Sequence, residues 1–291
     1  RQRQMCIRDS LTNPEARYEL VKTMRASILV MGPLLAKYGR AKISQPGGCN
    51  IGTRPIDFHL SGLEQMGAEI KIDSKFIYLE AKKLRPIDFS FPKISDTGTE
   101  NLIMAAIFTP GVTNLKNCAK EPEVVDLINF LNSCGAKIEG AGTSNISITG
   151  VEDLVGGDWN ILPDRIEAGT YLVAGAITNG HVRINNISDN LILPIITTLE
   201  RMGVTIKKGK DWVEVDATTS DLKSVDIETG PFPGFPTDMQ AQFMTLNCIS
   251  DGSSLTTETV FENRFQHVTE LKKMGAKISL NNNQAKIEGV S

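Results

Sequence analysis

GLEQMGAEIKI, at residues 62–72, ends a helical pattern at Gly67 and then alternates apolar and polar residues, as a half-buried strand does. The same arrangement occurs three more times along the chain. The other copies are FLNSCGAKIEG at 130–140, TLERMGVTIKK at 198–208 and ELKKMGAKISL at 270–280. The glycines at 67, 135, 203 and 275 are spaced by 68, 68 and 72 residues, which predicts a repeated supersecondary unit.

A second set of glycines keeps nearly the same period. Gly39, Gly111, Gly180 and Gly252 are spaced by 72, 69 and 72 residues. We predict that both sets adopt the left-handed conformation in which glycine commonly ends a helix. Each repeat then consists of helix A, Gly, strand, helix B, Gly and strand, with a further strand before the next repeat.

The two helices of each repeat differ in their apolar pattern. Helix B is amphipathic in the first repeat, with apolar residues at helical spacing at Ile56, Leu60, Leu63 and Met66. Helix A has almost no polar face, so we expect it to be buried nearly all round. Its apolar residues in the first repeat are Ile28, Leu29, Val30, Met31, Leu34 and Leu35. Short strands around such helices predict an α/β fold with the helices inside a shell of sheets.

The composition limits the class of protein. The chain has 291 residues, 41% of them hydrophobic, which is typical of a globular protein with about two domains. The net charge of -3 gives no reason to expect nucleic acid or an anionic membrane as a partner. Five scattered cysteines indicate neither a disulfide framework nor a zinc site, and they fit a reducing cytosol. Residues 1–10, RQRQMCIRDS, show no apolar period, and we predict that they are an artefactual tail.

Polar residues concentrate at the starts of predicted helices. The loops before helix B contain PGGCNIGTRP at 46–55, AKEPE at 119–123 and TVFENR at 259–264. Helix N-termini present free N–H groups and a positive dipole end, which attract anions. Several arginines near such ends predict a ligand that carries phosphates or carboxylates.

The individual candidates leave alternatives open. Cys49 follows two glycines and precedes Arg54, so it is either a reactive thiol or an inert buried cysteine. Asp238 and Glu121 precede predicted helices, and either could be a helix N-cap rather than a functional acid. Arg25 and Arg264 are either anion ligands or solvated surface charges.

Five motifs together resemble those of the UDP-N-acetylglucosamine enolpyruvyl transferase family. They are LVKTMRAS at 20–27, PGGCNIGTRPIDFH at 46–59, LPDRIEAGTY at 162–171, FPTDMQAQF at 235–243 and TETVFENRF at 257–265. The resemblance covers residues 18–291. It implies an inside-out α/β barrel of two domains, each of three βαβαββ units, with the active site in the cleft between them. The four repeats would be the second to fifth units, with residues 11–162 in the first domain and 163–291 in the second.

The resemblance also implies a reaction. The family transfers the enolpyruvyl group of phosphoenolpyruvate to the 3-hydroxyl of UDP-N-acetylglucosamine and releases phosphate. Cys49 matches the thiol that protonates the methylene carbon as general acid, and that can form a covalent adduct. Asp238 matches the carboxylate that accepts the hydroxyl proton. This is the first committed step of peptidoglycan synthesis, so the resemblance implies a cytoplasmic enzyme of cell-wall formation, cell shape and division, and a target of fosfomycin.

Further positions match substrate contacts of the family. They are Arg25, Arg54, Pro55, Ile56, Asp57, Phe58, Lys93, Ile94, Ser95, Asp96, Val260 and Arg264. The resemblance implies no cofactor and no metal. Asp96 and Thr97 replace a Val-Gly pair found in many members. The family's N-terminal Lys-Asn pair and its last arginines have no counterpart here, so we expect this chain alone to be inactive.

Three other functions fit part of the sequence. The shikimate 3-phosphate enolpyruvyl transferases share the fold and the phosphoenolpyruvate chemistry, but they lack the PGGC loop around Cys49. A non-catalytic relative that binds a sugar nucleotide is a second alternative. A Cys/His hydrolase is a third, although no His-Asn pair stands in a recognisable context.

Overall fold

The computed structural model describes residues 14–21, 24–45 and 56–290. The α-helices among them are α1 (Tyr18–Val21), α2 (Met31–Tyr38), α3 (Asp57–Gln65), α4 (Asp96–Ala106), α5 (Pro122–Ser133), α6 (Arg165–Ile177), α7 (Leu193–Arg201), α8 (Gln240–Cys248) and α9 (Val268–Lys273). Short 3-10 helices span Arg25–Val30, Asp189–Ile192 and Thr237–Met239. None of the helices in this described part is long and apolar enough to cross a membrane.

Fifteen strands connect these helices in the described ranges. They are β1 (Glu15–Ala16), β2 (Arg40–Ser44), β3 (Glu69–Ile72), β4 (Phe76–Glu80), β5 (Asp88–Ser90), β6 (Val112–Lys116), β7 (Lys137–Glu139), β8 (Asn145–Thr149), β9 (His181–Asn185), β10 (Thr205–Lys208), β11 (Trp212–Asp216), β12 (Ile227–Glu228), β13 (Ser253–Thr257), β14 (Lys277–Asn281) and β15 (Gln284–Glu288).

The strands form one small sheet for each predicted repeat. Three sheets have the orders β1-β2-β4-β3, β5-β6-β8-β7 and β12-β13-β15-β14. In each of them the first strand is parallel to the second, and the remaining neighbours are antiparallel. The third repeat has the antiparallel order β10-β11-β9 among the described residues. The predicted fourfold repeat of helices and strands is therefore confirmed.

The marker glycines have the expected backbone conformation with one exception. Gly67, Gly135, Gly203 and Gly275 have φ of 101°, 101°, 91° and 102°. In the second set, Gly39, Gly111 and Gly252 have φ of 67°, 108° and 103°. The prediction is wrong for Gly180, because Asn179, with φ of 49°, holds the left-handed position after α6 instead. Asparagine tolerates that conformation better than most residues, so the turn does not require glycine there.

Helix A of the first repeat is less uniformly buried than its sequence predicts. Ile28, Met31 and Leu35 are fully buried, but Val30 is 39% exposed. The reason is that residues 25–30 form a 3-10 helix, in which residues three apart eclipse each other. Ile28 and Met31 therefore share the buried face, and Val30 lies on another.

The A helices of neighbouring repeats pack against each other inside the sheets. In the first two repeats the contact between α2 and α4 is close, because a Cβ on Gly32 would clash with the backbone oxygen of Asn101. In the last two repeats α6 packs against α8, and its residues Leu172 and Ala176 are fully buried. Helices enclosed by sheets confirm the predicted fold class.

The described residues group into two compact units. The first unit holds the described residues between 14 and 119 together with Leu127–Trp159. The second holds Lys120–Asp126 and residues 160–290. The expected domain boundary at residues 162 and 163 stays a prediction, as does the tail at residues 1–10, which lies outside the described residues.

Candidate functional site

Three of the predicted site residues belong to the loop at 46–55. Cys49, Arg54 and Pro55 lie outside the described residues, so their roles stay predictions. Ile56 is the first described residue after them, and it is half-buried immediately before α3. Asp57 is exposed in the first turn of that helix.

His59, also in the first turn of α3, is buried and joins two helices of the first unit. Asn101 Oδ1 accepts a hydrogen bond from Gly32 N at 2.6 Å, so its Nδ2 is the group that donates to His59 Nδ1 at 2.8 Å. Nδ1 therefore accepts, and the ring proton is on Nε2, which lies 3.3 Å from Thr97 Oγ1. His59 thus links the start of α3 to the first turn of α4.

The charge state of His59 follows from its surroundings. Burial, and after it the nearby Arg25 guanidinium, lowers the pKa of His59 to about 4. The ring is therefore neutral near neutral pH, as the hydrogen bond from Asn101 requires. Arg25 itself opens the 3-10 helix before α2 and is half-buried, so it is not a fully solvated surface charge.

The start of α4 carries the second group of predicted contacts. Ser95 is the N-cap, and its Oγ accepts a hydrogen bond from Gly98 N at 3.1 Å. Asp96 is exposed in the first turn, Ile94 is half-buried and Lys93 is exposed. Because His59 contacts Thr97, the structure brings the starts of α3 and α4 together within the first unit.

The depressed pKa of His59 predicts that acid destabilises the chain. In the unfolded chain the imidazole takes up a proton below its ordinary pKa of 6.5, whereas in the fold it stays neutral down to about pH 4. Unfolding therefore binds a proton in this window, and the free energy of unfolding should fall by up to about 3 kcal/mol as pH falls through it. Urea denaturation across this pH range measures the effect. In His59→Gln the free energy of unfolding should depend less on pH in this window. An identical pH dependence in both proteins would contradict the lowered pKa of His59.

In the second unit, Asp238 and Arg264 form a direct ion pair. Arg264 Nη2 donates to Asp238 Oδ1 at 2.5 Å. Asp238 is not an N-cap, because it lies inside the 3-10 helix at Thr237–Met239, whose N-cap is Pro236. That alternative is therefore wrong, and the carboxylate instead faces a cation while staying 58% exposed.

Arg264 is not a solvated surface charge, since its side chain is only 18% exposed. The ring of Phe261 lies 5.4 Å from its guanidinium carbon. Its Nη1 is buried and has no hydrogen-bond partner within the described residues. A buried guanidinium donor without an acceptor is costly, which favours a site that receives an anionic group.

Two buried glutamates support the segment that carries Asp238. Glu258 accepts a hydrogen bond from Thr237 Oγ1 at 2.9 Å and from Val260 N at 2.9 Å. Glu121 Oε1 accepts from Phe232 N at 3.1 Å, so its side chain does not cap α5 as the N-cap alternative supposed. Glu258 could not be recognised from sequence, since an acid between threonines resembles an ordinary exposed strand end.

The start of α6 is capped within the same unit. Asp164 Oδ1 accepts hydrogen bonds from Ile166 N at 2.8 Å and Glu167 N at 3.0 Å. Arg165 donates to Glu123 Oε1 at 2.9 Å. These residues therefore stabilise the start of α6.

Among the described residues, no group of three or more acidic, histidine or cysteine side chains could hold a metal ion.

Comparisons with known proteins give one family. A family model described as EPSP synthase (3-phosphoshikimate 1-carboxyvinyltransferase) matches residues 1–291. The chain is 52% identical over 280 residues to a UDP-N-acetylglucosamine 1-carboxyvinyltransferase of Coxiella burnetii, covering 96% of this chain and 64% of the relative. It is 50% identical over 283 residues to the protein of that name in Cellvibrio japonicus, covering 97% and 67%. The chain thus spans about two thirds of the length of these relatives.

Solved structures share the fold. The enolpyruvyl transferase NikO from Streptomyces tendae superimposes with a TM-score of 0.80 at 23% identity, over 95% of this chain and 66% of that one. An EPSP synthase from Acinetobacter baumannii gives a TM-score of 0.66 at 20% identity, over 91% and 63%. At these identities the structures support the architecture alone.

Proposed function

Since this chain belongs to the EPSP synthase (3-phosphoshikimate 1-carboxyvinyltransferase) family, we propose that it serves to transfer an enolpyruvyl group from phosphoenolpyruvate to the 3-hydroxyl of UDP-N-acetylglucosamine. Sequence identity to known relatives supports this choice of acceptor. Relatives named for UDP-N-acetylglucosamine are 50–52% identical to this chain, whereas the EPSP synthase structure is 20% identical. The motif around Cys49 supports the same acceptor.

The ion pair between Asp238 and Arg264 is the observation that carries the proposal. Attack by a sugar hydroxyl requires a group that removes its proton, and a carboxylate within hydrogen-bond reach can do so. Asp238 is open to a ligand hydroxyl, while its contact with Arg264 directs the carboxylate. Arg264 also carries positive charge to the place where a phosphate or carboxylate of the substrates would bind.

The first unit supplies the features that suit a sugar nucleotide. The starts of α3 and α4 lie together, with Asp57 and Phe58 on one and Ser95 and Asp96 on the other. The positive dipole end of an eleven-residue helix, with Arg25 close to His59, favours a diphosphate. We propose that these residues, together with Lys93, Ile94, Arg54 and Pro55, bind the UDP group.

Cys49 completes the proposed chemistry. A thiol in a glycine-rich loop near an arginine can donate a proton to the methylene carbon of phosphoenolpyruvate. The resulting cationic carbon takes the sugar oxygen, whose proton passes to Asp238. Phosphate then leaves from the tetrahedral intermediate while one proton of the new methyl group returns to the Cys49 thiolate, which restores the carbon–carbon double bond of the enolpyruvyl product. Both substrates belong to the cytoplasm, so we propose that the protein acts there, at the first committed step of peptidoglycan synthesis.

Calorimetric titration of the chain with each acceptor tests the substrate. We expect UDP-N-acetylglucosamine to bind at least about tenfold more tightly than shikimate 3-phosphate, a difference of roughly 1.4 kcal/mol or more. Arg25→Ala should weaken that binding, whereas Arg40→Ala, at an exposed strand start, should not. Tighter binding of shikimate 3-phosphate would instead support the alternative acceptor.

A further inference from the structure

The side chain of Glu258 accepts four hydrogen bonds from described residues of the second unit. It follows β13 directly and is 3% exposed. Its Oε1 accepts from Thr229 Oγ1 at 2.8 Å, from Val260 N at 2.9 Å and from Phe261 N at 3.1 Å. Its Oε2 accepts from Thr237 Oγ1 at 2.9 Å. Both carboxylate oxygens therefore have hydrogen-bond donors that replace water, which is the condition under which a buried carboxylate is tolerated.

These donors come from three separate segments. Thr229 follows β12, Thr237 opens the 3-10 helix that contains Asp238, and the amides of Val260 and Phe261 begin the loop that leads to Arg264. The carboxylate of Glu258 therefore joins both sides of the Asp238–Arg264 pair. The segment that carries Asp238 is a 3-10 helix of three residues, and the segment that carries Arg264, residues 258–267, contains no helix or strand. Both segments therefore have little regular structure of their own.

The strand edge beside Glu258 is held by other bonds. Thr259 Oγ1 donates to Thr229 O at 2.6 Å, and Thr259 N donates to Thr229 Oγ1 at 3.0 Å. These contacts connect the end of β12 to the end of β13 without the glutamate. They do not reach Thr237, the residue immediately before Asp238, whose hydroxyl bonds to Glu258.

We infer that Glu258, through its hydrogen bond to Thr237, is a positioning residue that sets the direction of the Asp238 carboxylate relative to Arg264. The inference rests on the proposed function, because it assigns Glu258 to the proton-accepting side of that reaction. A general base has to be held close to its productive geometry, and small displacements reduce its effect strongly. Glu258 itself does not contact substrate in this account.

Thr237→Val removes the one hydroxyl that contacts Glu258 Oε2 and keeps the side-chain volume. In a version of the chain that turns over, we expect kcat to fall about ten- to hundredfold while KM for the acceptor changes less than about twofold. Thr237→Ser restores the hydroxyl and should restore kcat. Thr256→Val is the matched control, since Thr256 is buried in β13 and its hydroxyl has no partner in the described part of the chain. Its kcat should stay at the parent value.

Amide hydrogen exchange gives a second readout that does not depend on turnover. Met239 N donates to Pro236 O at 2.9 Å within the 3-10 helix. Loss of the Thr237–Glu258 bond should speed exchange at Met239 about five- to tenfold in Thr237→Val, but not in Thr256→Val. Unchanged exchange, or an unchanged kcat in an active parent, would overturn the inference. An extended parent without turnover would refute the proposed reaction, whereas the exchange result tests separately whether Glu258 holds the segment that carries Asp238.

Discussion

Replacing Asp238 by Asn is expected to lower kcat by about 10²–10⁴-fold, the usual contribution of a positioned general base. Asn retains the shape and a carbonyl oxygen that can still accept from Arg264 Nη2. The fold and the binding of the acceptor should therefore persist. Under the proposed function, the variant loses the group that accepts the proton of the sugar hydroxyl, so the loss should appear in kcat with little change in KM.

The measurement is steady-state phosphate release by the Asp238→Asn variant of a chain extended with the terminal segments of a relative, with acceptor binding measured in parallel. Asp251→Asn is the matched control, because Asp251 is also an exposed carboxylate with a cationic partner, Lys223, at 2.7 Å. That variant should retain the parent kcat. A kcat for Asp238→Asn within twofold of the parent would remove Asp238 from the reaction.

Cys49 is expected to be the cysteine that reacts fast with the epoxide fosfomycin. Cys118, Cys134 and Cys248 are buried. Burial raises the pKa of the Cys118 thiol to about 12 and also raises the pKa of Cys248. A thiol reacts as its thiolate, so neither of these two should compete near neutral pH. The Cys49 loop, by contrast, resembles the loop that carries the reactive thiol in the enolpyruvyl transferases.

Intact mass measurement and peptide mapping of the folded chain test this expectation. One adduct should form, on the peptide that contains Cys49, and Cys49→Ala should abolish it. In a version of the chain extended with the terminal segments of a relative, the same variant should also abolish turnover. Cys49→Asp should retain turnover, since a carboxylic acid can also donate a proton. Cys6→Ser is the control for the remaining cysteine. Labelling spread evenly over Cys118, Cys134 and Cys248 would contradict the assignment.

The repeat was predictable from sequence because it depends on local backbone requirements. A turn with positive φ favours glycine, so a glycine recurs in the sequence at that point of the repeat. The strand that follows begins one or two residues later. Gly180 was misassigned because asparagine also fills the left-handed position, so Asn179 carries the turn. Val30 was misassigned because the pattern could not distinguish a 3-10 helix from an α-helix.

The site was predictable only in part, because its contacts join residues far apart in the chain. Asp238 and Arg264 could be named as candidates, but their direct contact across 26 positions leaves no periodic signal. The same holds for His59, whose partner Asn101 is 42 positions away. Glu258 was missed because burial, which distinguishes it from an exposed acid, is a property of the fold.

Phosphate release from phosphoenolpyruvate tests the central claim most directly. The assay should use a version of the chain extended with the terminal segments of the Coxiella burnetii relative, of which the chain covers 64%. We predict that release requires UDP-N-acetylglucosamine, is not supported by shikimate 3-phosphate, and disappears in Cys49→Ala. Release that depends on shikimate 3-phosphate, or no release with UDP-N-acetylglucosamine, would contradict it.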